Sequence, residues 1–208
     1  MDVLVTGGAG YIGSHVALSL LDAGYNVTII DDLSNGHTNL IPNKAKFIKA
    51  NINDTHILKN LFQTNKFNTL FHFAGFVKVE ESIHFPEKYF TNNTKNSSIL
   101  FNACIEFGLN NIIFSSTAAV YGNPKKNLID ENADLNPLNP YGESKVQTEN
   151  LLLNLQKEQK IQYVILRYFN VAGADPQLRS GLISPNPTHL IKIASEASVG
   201  KREKVTIY

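Results

Sequence analysis

The residues Thr6-Gly7-Gly8-Ala9-Gly10-Tyr11-Ile12-Gly13 stand between a short β-branched run, Val3-Leu4-Val5, and a helix-patterned stretch from Ile12 to Leu21 that ends at Gly24. Strand, glycine-rich turn and helix in that order open a strand–helix–strand unit. Further apolar runs at Asn26 to Ile30, Lys46 to Ile48, Thr69 to Phe73, Asn111 to Phe114 and Tyr163 to Leu166 repeat the strand signal. Helix-patterned stretches lie between most of them: Asp54 to Phe62 opens on a capping acid, and Pro86 to Phe107 starts at a proline and stops at Gly108. Strands this apolar have no wet face, so the alternation predicts an α/β fold, a doubly wound parallel sheet covered by helices on both sides.

Two regions depart from the rhythm. Tyr121 to Pro140 carries Gly122, Pro124, Pro137 and several asparagines and reads as a long loop leading into a helix. After Leu166 the pattern loosens through Gly173, Pro176, Gly181, Pro185 and Pro187, then resumes as a helix from Thr188 to Val199 and an apparent strand at Val205 to Tyr208. A chain of 208 residues with 43% hydrophobic content buries the core of one domain, or of one domain plus a fragment. The formal charge of +1, with acids and bases interspersed, gives no basic stripe for nucleic acid. Cys104 is the only cysteine, which excludes an internal disulfide and a thiol cluster for zinc, so no metal site is expected. The N-terminus has no signal-peptide pattern and no run approaches the ~18 apolar residues of a membrane span. These features predict a soluble, cytoplasmic protein with no membrane partner.

A glycine turn alone is often only a turn, but the second strand adds to it. That strand ends in Asp31-Asp32, 18 residues beyond Gly13, where a carboxylate accepts hydrogen bonds from an adenosine ribose. Gly7 then permits the tight turn, Gly10 lets backbone approach a pyrophosphate, and Gly13 lets helix and strand pack closely. Helix amides face the phosphates. The result is the fingerprint of a Rossmann-type dinucleotide site. An acid in that place repels a 2′-phosphate and no Arg or Lys stands beside it, so the expected cofactor is NAD rather than NADP.

A tyrosine four residues ahead of a lysine on a helix puts both side chains on one face, about 5–6 Å apart at Cβ. The ammonium is expected to favour the phenolate and lower a pKa that is ~10 when unperturbed. The spacing occurs twice, at Tyr121 with Lys125 and at Tyr141 with Lys145. Pro124 interrupts the first pair, whereas the second follows Pro140 at the head of a helical stretch. The fifth strand ends in Ser115-Ser116-Thr117, hydroxyls at the edge where a nicotinamide should lie. A strand-end cap is the plain alternative for them, and an exposed aromatic with a solvated lysine the plain alternative for the pair.

With these residues in hand the chain resembles the extended short-chain dehydrogenase/reductase superfamily and, within it, the UDP-glucose 4-epimerase family. The stretches that carry the likeness are Val3 to His15, Phe71-His72-Phe73-Ala74-Gly75, Phe114 to Gly122, Pro140-Tyr141-Gly142-Glu143-Ser144-Lys145 and Leu166-Arg167-Tyr168-Phe169-Asn170. The resemblance implies an NAD-dependent isomerase that inverts C4 of a nucleotide-sugar through a transient 4-keto intermediate, with Tyr141, Lys145 and Thr117 as catalytic residues. It implies that Gly7, Gly10, Tyr11, Ile12, Gly13, Asp31, Asp32, Leu33, Ser34, Asn35, Gly36, Asn51, Ile52, Phe73, Ala74, Gly75, Asn92, Tyr141, Lys145 and Phe169 line the NAD. Thr117, Tyr141, Asn170, Thr188, His189 and Leu190 would meet a UDP-hexose, with a loop cap and a surface histidine as the plain readings of Asn170 and His189. Thr117 stands where many members have serine, Asn51 where an acid is usual, and Lys78 one place later than the family pattern. The family's length implies an NAD-binding Rossmann domain at 1–172, the start of a substrate-binding region at 173–208 with the remainder missing, and a homodimer for the full-length protein. The rival readings are a 4,6-dehydratase, whose acidic pair is replaced here by Ala118-Ala119, and a non-catalytic NAD sensor.

Overall fold

The computed structural model describes residues 1–125, 128–159, 161–184 and 187–206. Six strands, β1 (Asp2–Thr6), β2 (Asn26–Asp31), β3 (Lys46–Lys49), β4 (Thr69–His72), β5 (Asn111–Ser115) and β6 (Gln162–Leu166), form one sheet in the order β3-β2-β1-β4-β5-β6. Every pairing in it is parallel. After β3 the chain returns across β1 to lay down β4. That reversal puts a topological switch point between the carboxyl ends of β1 and β4, where such sheets bind ligands.

The period-2 alternation of the strands divides the core. Val3, Val5, Val27 and Ile29 face α1 (Tyr11–Asp22) and pack with Ala17. Leu4, Ile30, Leu70 and Ile112 face the other side and meet Leu58 and Leu61 of α2 (Thr55–Thr64). Asp54 caps α2, its Oδ1 accepting from the Ile57 amide at 3.0 Å. The same layer takes in Leu100 and Phe101 of a later helix and Leu152 of α6 (Pro140–Gln159). Each of these side chains, wholly removed from water, contributes roughly 1.5–3 kcal/mol.

Residues 79–106 differ from the single helix expected from Pro86 to Phe107. They form α3 (Val79–His84), α4 (Pro86–Tyr89), a wide π turn (Phe90–Lys95) and α5 (Asn96–Glu106). At this turn the Asn93 carbonyl accepts from two hydroxyls, Ser97 Oγ at 2.6 Å and Thr148 Oγ1 at 2.9 Å. The final helix, α7 (Leu190–Ser198), buries none of its residues. The apparent strand at Val205 to Tyr208 is not formed over its first two residues, which lack regular structure; its last two, like Pro185, lie outside the described residues. No helix among the described residues is long and apolar enough to cross a membrane.

Candidate functional site

The turn between β1 and α1 is shaped by what its glycines lack. Gly7 has φ +71°, and a Cβ there would stand 2.5 Å from the Ala74 nitrogen, in the backbone leaving β4. A Cβ on Gly13 would press into the Gly7 carbonyl. The start of α1 therefore closes onto both strand ends only because those side chains are absent. Gly10, the N-cap, offers no side chain to the first-turn amides, and no acid sits in that turn. The positive end of the helix is left to an external anion.

At the end of β2, Asp31 is buried and accepts the Ala9 amide at 3.0 Å on Oδ2 and the Leu33 amide at 2.8 Å on Oδ1. Burial pushes its pKa up while these two bonds pull it back. The loop from Asp31 to Gly36 is thereby laid over the glycine turn, and the His37 amide fastens it to Ala9 O at 2.9 Å. Leu33 takes a left-handed φ of 63° there. Asp32 accepts the Ser34 amide at 2.9 Å and Asn51 Nδ2 at 2.8 Å. An amide at position 51 thus bonds the carboxylate that an acid would have repelled.

Tyr141 and Lys145 sit on the first turns of α6, where Asn139 Oδ1 accepts the Gly142 amide at 2.9 Å. Tyr141 is 8% exposed, Lys145 3% and Thr117 9%. The Tyr141 phenol has the Thr117 hydroxyl as its neighbour; burial pushes its pKa up and that neighbour pulls it down. The expectation of a phenol lowered by Lys145 does not hold here, because burial outweighs what its neighbours contribute. Lys145 Nζ donates to the Ser115 carbonyl at 3.0 Å and lies 5.0 Å from the centre of the Phe114 ring. Burial brings its pKa down to about 8, opposed by the Glu149 carboxylate one turn on. Gly75 abuts the same group, since a Cβ there would stand 3.2 Å from Lys145 Nζ. Gly7, Ala74, Gly75, Lys145, Ser115, Thr117 and Tyr141 are therefore joined by successive close approaches. The other tyrosine–lysine pair is split: Tyr121 is buried with its hydroxyl on Arg167, and Lys125 is exposed.

Residues 3–207 match the model of the NAD dependent epimerase/dehydratase family. This chain belongs to that family. It is 46% identical over 206 residues to a UDP-glucose 4-epimerase of Azospirillum brasilense, covering 99% of this chain and 59% of that protein. A putative UDP-arabinose 4-epimerase 2 of Arabidopsis thaliana is 43% identical over 188 residues, covering 86% of this chain and 45% of the relative. The crystal structure of a UDP-glucose 4-epimerase from Brucella ovis in complex with NAD superposes with a TM-score of 0.94 at 37% identity, covering 100% of this chain and 63% of that one. The chain spans about three fifths of the length of the UDP-glucose 4-epimerases it matches.

Other residues that the epimerase/dehydratase resemblance singled out fall in varied settings. Asn92 Nδ2 donates to Asn93 Oδ1 at 3.2 Å. Ile52 lies in the main apolar core, so its side chain is spent on packing. Phe169 is 79% exposed, and Asn170, Thr188 and Leu190 are exposed as well. His189 is half-buried with Nδ1 lacking a hydrogen-bond partner among the described residues. Lys78 is exposed; its backbone amide donates to Tyr89 Oη at 3.1 Å. The stretch 173–181 is tied to α1 by Tyr11 Oη on the Gly173 carbonyl at 2.7 Å and by Ser14 Oγ against Ser180 Oγ at 2.6 Å.

Several side chains that the sequence reading left without a role in this family's site support it from behind. Asn93 holds both backbone groups of Phe76 and reaches Ser144 Oγ at 3.1 Å. His72 accepts Thr6 Oγ1 on Nδ1 at 2.7 Å and donates from Nε2 to Ser97 at 2.8 Å, the tautomer following from Ser97 having given its own proton to Asn93 O. Burial holds that imidazole neutral, its pKa down to about 3. Tyr168 bonds Ser115 Oγ, and Glu149 bonds Ser116 Oγ and Arg167. Position was the available signal for two of them: Asn93 neighbours Asn92, and Glu149 follows Lys145 by one helical turn.

Proposed function

We propose that this chain is the coenzyme-binding part of an NAD-dependent isomerase that inverts C4 of a UDP-hexose of the glucose/galactose type. The observation that carries the reading is the Tyr141 phenol held against Thr117, with Lys145 beside Gly75 on the same helix. The residues fit NAD: the uncapped start of α1 suits a pyrophosphate, the side-chain-free surface of the glycine turn leaves room for it, and Asp31 and Asp32 suit an adenosine ribose without a 2′-phosphate. Gly7, Gly10, Tyr11, Ile12 and Gly13 would hold the phosphates; Asp31 to Gly36, Asn51 and Ile52 the adenosine; and Phe73 to Gly75, Asn92, Lys145 and Phe169 the nicotinamide side.

The chemistry NAD supplies when bound is reversible hydride storage, together with a positive charge in its oxidised form that favours an ionised phenol. Tyr141 takes the proton of the sugar 4-hydroxyl, directly or through Thr117, and returns it when C4 of the 4-keto sugar is reduced from the opposite face. Lys145 spends one donor on Ser115 O and keeps two more for the nicotinamide ribose. Asn170, at the end of the NAD-binding domain, and Thr188-His189-Leu190, in the region that begins at 173, belong to the substrate side. A homodimer suits the unpartnered apolar side chains Val79, Ile83 and Phe85. A cytoplasmic location suits the single, buried, unpaired Cys104. Ala118 and Ala119, carrying no acid beside Thr117, support epimerase over dehydratase chemistry.

The experiment is conversion of UDP-galactose by the complete protein, without added NADH, beside its Tyr141→Phe variant. The variant should lose about 10²–10⁴-fold in turnover. Retention of most of the rate would remove Tyr141 as the base; a deoxy-keto product would point to a dehydratase; bound NAD with no turnover would point to a sensor.

A further inference from the structure

Glu149 is 1% exposed, and a carboxylate so far from water is costly unless charges and hydrogen bonds replace its hydration. Its oxygens are met from two strand ends. Arg167, just past β6, donates from Nη2 at 2.7 Å and from Nε at 3.1 and 3.2 Å. Ser116, just past β5, donates its hydroxyl. The same guanidinium runs on through Nη1 to Tyr121 Oη and the Glu131 carbonyl, both at 3.0 Å. These contacts bracket Thr117: Ser116 precedes it, Tyr121 follows it by four residues, and α6 brings Tyr141 against it.

We propose that Glu149 is a positioning residue for the reaction, pinning the Ser116-Thr117 backbone to α6 and serving as the negative partner that keeps buried Lys145 in its ammonium form. The inference rests on the reading of Tyr141, Thr117 and Lys145 as the reacting set. The groups facing Lys145 leave that electrostatic role to Glu149. From β4 comes neutral His72; from β5 come the Phe114 ring and the uncharged Ser115 carbonyl; from α6 itself come the protonated Tyr141 and Glu149. Arg167 pairs with Glu149 from the far side at 2.7 Å. Burial alone favours neutral Lys145 and Glu149 opposes it, so removing that charge lets the proton leave at lower pH.

The test reads Lys145 itself, by NMR titration of the protein carrying ¹³Cε-lysine, in Glu149→Gln and Glu149→Asp. The Gln variant should titrate Lys145 at distinctly lower pH, and the Asp variant, which keeps the charge, close to the unsubstituted midpoint. In the complete protein the alkaline limb of turnover should move down with the Gln variant, with kcat lowered about tenfold at neutral pH. An unmoved midpoint, equal shifts for Gln and Asp, or a fall in kcat with the alkaline limb in place would overturn the electrostatic role. Should Glu149→Gln fail to fold, the double variant Glu149→Gln with Arg167→Met also removes the guanidinium that the single variant would strand, and decides the same question. Ser116→Ala isolates the pinning: kcat should fall with the Lys145 midpoint unchanged, and an unchanged kcat overturns it. Failure of the complete protein to convert UDP-galactose would sink the epimerase reading while the lysine titration still stands.

Discussion

Lys145 is held in the fold against its own preference. Its pKa, 10.5 in an open chain, is about 8 here because burial disfavours the ammonium. The unfolded chain therefore binds this proton more tightly than the folded one between pH 8 and 10.5, and stability from this group rises with pH across that window. Below pH 8 the whole penalty stands, on the order of 3 kcal/mol. Losing the bond to Ser115 O offsets about 1 kcal/mol of it. Lys145→Met should accordingly be more stable than the parent at pH 7 in urea unfolding, with the advantage shrinking as the pH approaches 10.5. A Met variant less stable at pH 7, or a difference that ignores pH, would contradict the burial penalty. The spacing of Tyr141 and Lys145 was legible in the sequence because helix geometry is local. What the ammonium touches was not, because the Ser115 carbonyl arrives from 30 residues earlier on another strand.

Among the elements, the ion pair between α6 and the end of β6 matters more to stability than its surface counterparts. Arg167 and Glu149 are 2.7 Å apart with side chains 16% and 1% exposed, whereas Lys88 and Glu81, 2.9 Å apart, are 43% and 30% exposed. Water and side-chain entropy reduce an exposed pair to about 0–1 kcal/mol. Truncating one partner of a buried pair leaves the other charge without solvent or counterion, at about 3–5 kcal/mol. Arg167→Ala should therefore lower the unfolding free energy by about that amount, and Lys88→Ala by less than about 1 kcal/mol, measured in parallel denaturant titrations; equal losses would refute the distinction. All six strands could be read from apolar runs, although the expectation that none has a wet face fails at the edges, where β3 buries no residue and Val164 of β6 is 50% exposed. The π turn at Phe90–Lys95 could not. The Asn93 carbonyl within it accepts from Thr148, 55 residues on, and local spacing carries no trace of that bond. α3 escaped notice for the opposite reason: Val79 and Ile83 stay exposed, so no buried stripe marks it.

Across the whole molecule the two halves of the proposed site differ in completeness. The coenzyme side is assembled from the ends of β1, β2, β4 and β5 with α1 and α6, and its glycines, Asp31, Thr117, Tyr141 and Lys145 are held by contacts within the described residues. Strand order and glycine spacing made that half legible. The sugar side was readable only by resemblance, and its residues Asn170, Thr188 and Leu190 stand open to solvent. Solvent-exposed side chains lack the surrounding contacts that preorganise a binding surface, so each must be ordered when a ligand arrives. The 208-residue chain should for that reason bind NAD while holding UDP-glucose weakly. A ligand at a hundredfold its Kd stabilises the folded state by about 2.7 kcal/mol, so NAD should raise the melting temperature in a dose-dependent way. NADP should raise it far less, since its 2′-phosphate meets the Asp31 and Asp32 carboxylates, and UDP-glucose alone should barely move it. Equal shifts from NAD and NADP would remove the acidic pair as the discriminating feature. A shift from UDP-glucose as large as that from NAD would mean that the exposed half is already organised, and the division drawn between the two sides would fall.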